Sequence, residues 1–228
     1  LVYDYMVLSP KEPEQKGETA LVSAVGRTFL ERYLTLFSDL KIKIGAINLA
    51  VCAVIRLVAA VSAFRGATFI VAVLDKDNCS AILFVDGQYR FFNRSRLLAT
   101  RGTAASAAEI TRLISSMIQF NSAEKTGCAV TSVVLCGLLP EESRVQTAAP
   151  ALAAAAGQAF GEFLEEPAAG GDSVTSLCRE ITQNLGIEAR PFPNCVEVQV
   201  QKKGKKPANG ADFSLADAVY PVGNLLGR

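Results

Sequence analysis

The run Val71-Ala-Val-Leu-Asp75-Lys76-Asp77-Asn78 places an acid, a base, a second acid and an amide directly after an apolar segment. A carboxylate at the end of a buried strand is the residue type that orients a metal-bound water, and a lysine beside it can contact phosphate. The same four residues also make an ordinary hairpin turn, because Asp and Asn hydrogen-bond their own backbone there. Two features favour the turn reading. The second carboxylate, Asp77, adds like-charge repulsion toward any phosphate, and no glycine lets the backbone N–H groups approach one.

Other chemistries are removed by composition. The chain has no histidine, so imidazole acid/base catalysis is absent, and with neither imidazole nor a zinc-ligand spacing among its cysteines no zinc site is expected. Its six cysteines (Cys52, Cys79, Cys128, Cys136, Cys178 and Cys195) stand singly, most beside apolar neighbours, without a C-x-x-C pair. They read as reduced core thiols of a cytoplasmic protein. With 23 basic against 22 acidic residues, the net charge of +1 produces no global field for nucleic acid or an anionic membrane. The lysines between Gln201 and Asn209 read as a solvated turn. Tyr89, Arg90, Phe91, Phe92, Asn93, Arg94 and Arg96 alternate as a half-buried strand with arginine on its wet side, and only secondarily as a binding face.

Elements that position the acidic turn follow from periodicity in the 228 residues, half of them hydrophobic, enough for one large α/β domain or two small ones. Strands are predicted at Val2–Leu8, Thr19–Val25, Lys41–Ile44, Thr68–Leu74, Ser80–Val85 and Gln88–Phe92, with Asp86-Gly87 as a hairpin turn. Apolar residues at three- and four-residue spacing predict helices over Arg27–Leu40 and Ala104–Phe120. Ala107, Ile110, Leu113, Ile114 and Met117 form the apolar face of the second. Ala46–Phe64 is the most membrane-like run, but Arg56 near its centre points to a buried helix. Thr131–Cys136 is a central buried strand. An Ala-rich helix is expected within Arg144–Gly171, another over Val174–Leu185 closed by Gly186, and extended chain over Ile187–Phe192 and Glu197–Val200. Phe213–Leu226 is a last helix that Pro221 kinks or shortens. The chain opens on Leu1 with no charged and apolar leader, so a stretch of a longer protein without a signal peptide is expected.

This order of elements resembles the second half of an actin-like, ribonuclease H-type ATPase, and more narrowly the PilM-like proteins of type IV pilus assembly and the related cytoplasmic part of GspL in type II secretion. Tyr3-Asp4-Tyr5-Met6-Val7-Leu8 is similar to the strand of their inserted subdomain. Thr19–Leu40 is similar to the strand and helix that return from it, and Ile44–Ile55 to the crossing into the second lobe. Val73-Leu-Asp75 with the hairpin Phe91-Phe92-Asn93-Arg94 resembles the second phosphate loop. Val133-Val-Leu-Cys-Gly137 resembles the strand into the adenosine loop, and Phe213–Gly227 the closing helix.

The resemblance implies a partial actin-like α/β fold, a mixed-sheet meander with packing helices. Residues 1–66 would be the remainder of the first lobe with part of an insertion, and 67–228 the second lobe. It implies that Asp75, Lys76, Asn78, Gly137 and Leu138 occupy the positions of an ATP/Mg site. The sequence departs from that pattern: the family's Asp-x-Gly loop has lost its glycine, and of a Gly-Gly pair only Gly137 is left. A degenerate site on a non-enzymatic scaffold is therefore expected, the alternative being an active ATPase or sugar-kinase-like enzyme using Asp75. The scaffold would bind the N-terminal peptide of a PilN-like bitopic membrane protein through Tyr3, Tyr5, Val7, Phe29 and Tyr33. Other platform proteins would be further partners. It would sit peripherally at the inner face of the cytoplasmic membrane, without a span of its own and without nucleic acid.

Overall fold

Alternation at the N-terminus produces a small antiparallel sheet. In the computed structural model, which describes residues 1–9, 19–124, 128–143, 177–193 and 216–226, strand β1 (Val2–Ser9) pairs with β2 (Thr19–Val25), Tyr5 standing opposite Val22. Helix α1 (Arg27–Asp39) follows, and none of its residues is buried. The strand expected at Lys41–Ile44 does not form. The end of α1 claims those residues instead: Lys41 turns to φ 55, its N–H donates to the Ser38 carbonyl at 2.9 Å, and the Ile42 N–H reaches back to the Phe37 carbonyl at 2.9 Å. This is a Schellman-type cap with lysine where glycine is usual. Among the described residues no strand pairs with those that follow it.

The larger sheet has the order β5-β4-β3-β6-β7. Its meander, β3 (Phe69–Asp75), β4 (Asn78–Val85) and β5 (Gln88–Arg96), is antiparallel, while β6 (Ser132–Cys136) runs parallel to β3 and β7 (Glu188–Pro191) parallel to β6. β3 is central and buried on both faces from Phe69 to Leu74, which its continuous apolar sequence requires. Asp86 and Gly87, at φ 53 and 76, make the β4–β5 turn.

Helices cover both faces. On one side α2 (Ala50–Ala60) contributes Val54, Leu57 and Val58, and α6 (Val219–Leu225) contributes Val219 and Val222, against Phe69, Val71, Ile82 and Val134. On the other side α3 (Ala104–Ala123) contributes Ile110, Ile114 and Met117, and α5 (Leu177–Leu185) contributes Ile181, against Ile70, Leu83 and Val133. α2 is shorter than the apolar run that encodes it: it starts at Ala50 and gives way to a 3-10 turn at Ser62–Phe64. Among the described residues no helix is long and apolar enough to cross a membrane. α6 begins six residues after Phe213, at Val219, and Pro221 lies in its first turn. A proline there forfeits no intrahelical hydrogen bond, so it shortens the helix without kinking it. Gly186, at φ 66, closes α5 with its N–H on the Thr182 carbonyl at 2.9 Å. The elements expected within Arg144–Gly171, Glu197–Val200 and Gln201–Asn209 lie outside the described residues, as do the first residues of the helices expected from Val174 and Phe213.

Candidate functional site

Parallel strands β3 and β6 end side by side, Val73 opposite Cys136, so Leu74 stands next to Gly137. The crevice beyond the carboxyl ends of such strands is where α/β sheets take ligands. Asp75 pairs with Asn78, leaving a two-residue turn in which Lys76 adopts φ 46. Asp75, Lys76 and Asp77 are exposed and Asn78 is half-buried. The Leu97 N–H donates to the Asp77 carbonyl at 2.6 Å and ties the turn to the end of β5.

Gly137 is required by its surroundings. Its φ is +69, and a Cβ would stand 2.2 Å from the Leu74 carbonyl oxygen. Both of its backbone groups are used within the chain: the N–H donates to the Ala216 carbonyl at 3.1 Å, and the carbonyl accepts from Arg101 Nη2 at 3.0 Å. Leu138 is half-buried and packs on the α3-side core. Asp75 and Gly137 are thus brought to the same end of the sheet, while Leu138 turns toward the core.

A buried ion pair dominates this end of the molecule, and sequence reading did not find it. Arg101 and Glu142, the latter in the single-turn helix α4 (Pro140–Ser143), keep only 8% and 4% of their side chains exposed. Arg101 Nε donates to Glu142 Oε1 at 2.8 Å, and Nη2 donates to Oε2. The N–H groups of Gly102 and Leu139 donate to the same carboxylate at 3.2 and 2.9 Å. Burial pushes the Glu142 carboxyl up, but the Arg101 hydrogen bonds, the Leu139 and Gly102 N–H groups and the Arg101 charge outweigh it and hold it below the ordinary carboxylate range. The signal available in sequence was an arginine just before the α3 cap and an acidic pair just after Pro140. Nothing local joins them.

From α6, Tyr220 reaches the same region. Its side chain lies beside Ser80 and within electrostatic range of Arg94 and Asp75. Burial raises its phenol above the ordinary value, against the smaller opposing pull of Ser80 and Arg94. Among the described residues, no group of three or more His, Cys, Asp or Glu side chains could hold a metal ion.

A second candidate lies at the N-terminus. β1, β2, α1, the 44–49 segment and the start of α2 enclose a groove of about 640 Å³ that takes in Tyr3, Tyr5, Phe29, Cys52 and Arg56. Tyr33 lines an adjoining cavity of about 500 Å³ between α1 and residues 42–47, with its ring 5.2 Å from that of Phe29. Along β1, alternation leaves Tyr3, Tyr5 and Val7 exposed with Val22 of β2, whereas Met6, Leu8, Leu21 and Val25 are partly covered. Val7 lines neither cavity.

Compared with known proteins, the chain matches no family model and no curated protein. Among solved structures it matches a chain of a "PilM-PilN type IV pilus biogenesis complex", with a TM-score of 0.55 and 13% sequence identity over 84% of this chain. The fold is PilM-like. The match covers 56% of the other chain, so this chain spans a little over half its length, and at 13% identity the likeness is one of fold. In this PilM-like fold, one end of the mixed sheet holds Asp75, Gly137 and the Arg101–Glu142 pair, and the N-terminal hairpin with α1 holds the aromatic groove.

Proposed function

We propose that the chain is a non-enzymatic scaffold of a type IV pilus, or type II secretion-like, assembly platform. It lies at the inner face of the cytoplasmic membrane and receives the N-terminal segment of a PilN-like bitopic protein, alongside other platform proteins. The observation that carries this reading is the groove of about 640 Å³ beside β1, whose walls include Tyr3, Tyr5 and Phe29, in a chain whose fold is like one from a PilM-PilN complex. An extended peptide suits such a place. Backbone hydrogen bonds along a sheet edge supply affinity, and pockets for alternate side chains supply specificity. In this reading residues 1–66 carry the groove as the remainder of a first lobe, with α2 reaching across to pack on the second lobe, residues 67–228.

Asp75, Lys76, Asn78, Gly137 and Leu138 are then the remains of a nucleotide site. Supporting this, both Gly137 backbone groups are already bonded within the chain, and the nearby guanidinium of Arg101 is committed to Glu142. What is left for a phosphate is Lys76, between two exposed carboxylates. An immobilised peptide from the bitopic partner's N-terminus retains the full-length protein, and Tyr5→Ala or Phe29→Ala weakens retention; no retention sinks the proposal.

The second reading, an active ATPase or sugar-kinase-like enzyme, draws on Asp75 at the end of β3 beside Gly137. Calorimetry with Mg-ATP separates the two. Binding that Asp75→Asn abolishes favours the enzyme, and absence of heat favours the scaffold.

A further inference from the structure

Among the described residues β5 is an open edge: in the sheet order it is hydrogen-bonded to β4 alone. The phase of its backbone follows from the register. Arg96 stands opposite Asn78, and the Leu97 N–H donates to the Asp77 carbonyl at 2.6 Å. In an antiparallel pair the direction of the backbone groups alternates. Leu97, Ser95 and Asn93 therefore point theirs at β4, and Phe92, Arg94 and Arg96 present theirs outward, toward no other strand of the described residues.

The surroundings of this edge are apolar and carry more arginine than carboxylate, with Asp77 exposed across from Leu97. Beside its end lies a groove of about 450 Å³ lined by Arg96, Leu97, Leu98, Arg112 and Leu113. Leu98 is 89% exposed. Arg94, Arg96 and Arg112 are exposed, and the ion pairs of the described residues, Arg90–Glu124 and Arg101–Glu142, include none of the three. The carboxylate that lines the groove, Glu109, is already engaged, accepting from the N–H groups of Leu98 at 2.8 Å and Ala99 at 3.5 Å.

We propose that the β5 edge from Phe92 to Leu98 is a second docking surface, independent of the N-terminal groove, which takes an extended acidic segment of a partner protein as an added strand. Charge complementarity selects that occupant. A second copy pairing edge to edge would set its own Arg94 and Arg96 against these, and like charges on neighbouring strands repel. An acidic strand meets Arg94 and Arg96 on one face, Arg112 on the other, and seats an apolar side chain on Leu98. Main-chain bonds to residues 92, 94 and 96 supply the register.

The test uses fluorescence anisotropy with labelled peptides of roughly eight residues that carry glutamate on both strand faces around a single central leucine. The lysine counterpart and a backbone N-methylated acidic peptide are the controls. The acidic peptide binds, binding falls with salt, and Arg96→Glu or Arg112→Glu weakens it roughly tenfold, whereas Arg96→Lys largely retains it. N-methylation abolishes it, and Tyr5→Ala and Phe29→Ala leave it unchanged, which separates this surface from the groove of the proposed function. Exposed arginines tolerate these changes without unfolding, which circular dichroism checks. Equal binding of the lysine peptide, undiminished binding of the N-methylated peptide, or no binding of the acidic peptide to folded protein overturns the proposal. A dimer that Arg96→Glu dissociates, seen by sedimentation, overturns it in favour of a second copy.

Discussion

A Cβ added to Gly223 would stand 2.0 Å from the Ala53 carbonyl oxygen, so α6 and α2 touch backbone to backbone. This contact joins an early segment of the chain to its last described helix, over the core that covers β3. Gly223→Ala must separate the two helices. Overpacking of this kind costs about 1–3 kcal/mol, occasionally more, seen as a lower urea midpoint at unchanged slope. An unchanged midpoint would show that the helices do not pack at this distance.

Glu142 and Arg101 lie in a water-poor site, so deleting one partner strands the other. Arg101→Met is expected to destabilise by roughly 3–5 kcal/mol, and the double variant Arg101→Met, Glu142→Leu by clearly less, because no unpaired charge is left behind. Chemical denaturation of the two single variants and the double one measures the coupling.

The same pair makes a pH prediction. The folded Glu142 carboxyl lies below its ordinary value of 4.5, so the unfolded chain binds more protons between the two values and stability rises with pH there. The contribution is complete above about pH 4.5 and is lost as pH falls through the depressed folded value. Acid titration followed by circular dichroism should show this loss in the parent protein and its absence in Glu142→Gln.

Buried thiols give a test of the core. Burial pushes the Cys79 thiol up to about 12, against a smaller pull from Arg101; burial and then the Asp217 charge raise that of Cys136. The thiolate is the nucleophile. Iodoacetamide at pH 8 should leave both unmodified in the folded protein and label both after unfolding, as read by mass spectrometry. Cys128, half-exposed, should be labelled in the native state.

Thr103 caps α3. Its hydroxyl accepts from the Ser106 N–H at 3.3 Å, while Ser106 Oγ accepts from the Thr103 N–H at 3.3 Å. Thr103→Ala should cost about 1 kcal/mol by thermal or urea unfolding. Tyr5→Ala, at a side chain 69% exposed, should change stability by no more than about 0.5 kcal/mol. A loss of peptide retention in that variant therefore reports on binding and not on folding.

Local order was readable where one face or one segment carries its own signal. The stripe of Ala107, Ile110, Ile114 and Met117 is buried as its spacing requires, and the apolar run Val133–Cys136 lies inside the sheet, between β3 and β7. Lys41–Ile44 failed because alternation over four residues signals a strand only if another strand pairs with it, and here the α1 cap takes the first two. The candidate site was legible in the same partial way. Its turn residues stand out by type, but the Leu74 carbonyl that forbids any side chain at Gly137 and the Glu142 carboxylate that occupies Arg101 lie far away along the chain.

Residue pattern alone determined most of the described strands and helices, Lys41–Ile44 excepted, and that Asp75–Asn78 is a turn, because these depend on backbone geometry over a few residues. Tertiary structure alone decided the order β5-β4-β3-β6-β7, the burial of Arg101 with Glu142, the contact of Gly223 with Ala53 and the open edge of β5. Each of these joins, or leaves apart, groups distant in sequence. Which of them meet is set by how two cores on opposite faces of one sheet exclude water together, and no short stretch of the chain encodes that.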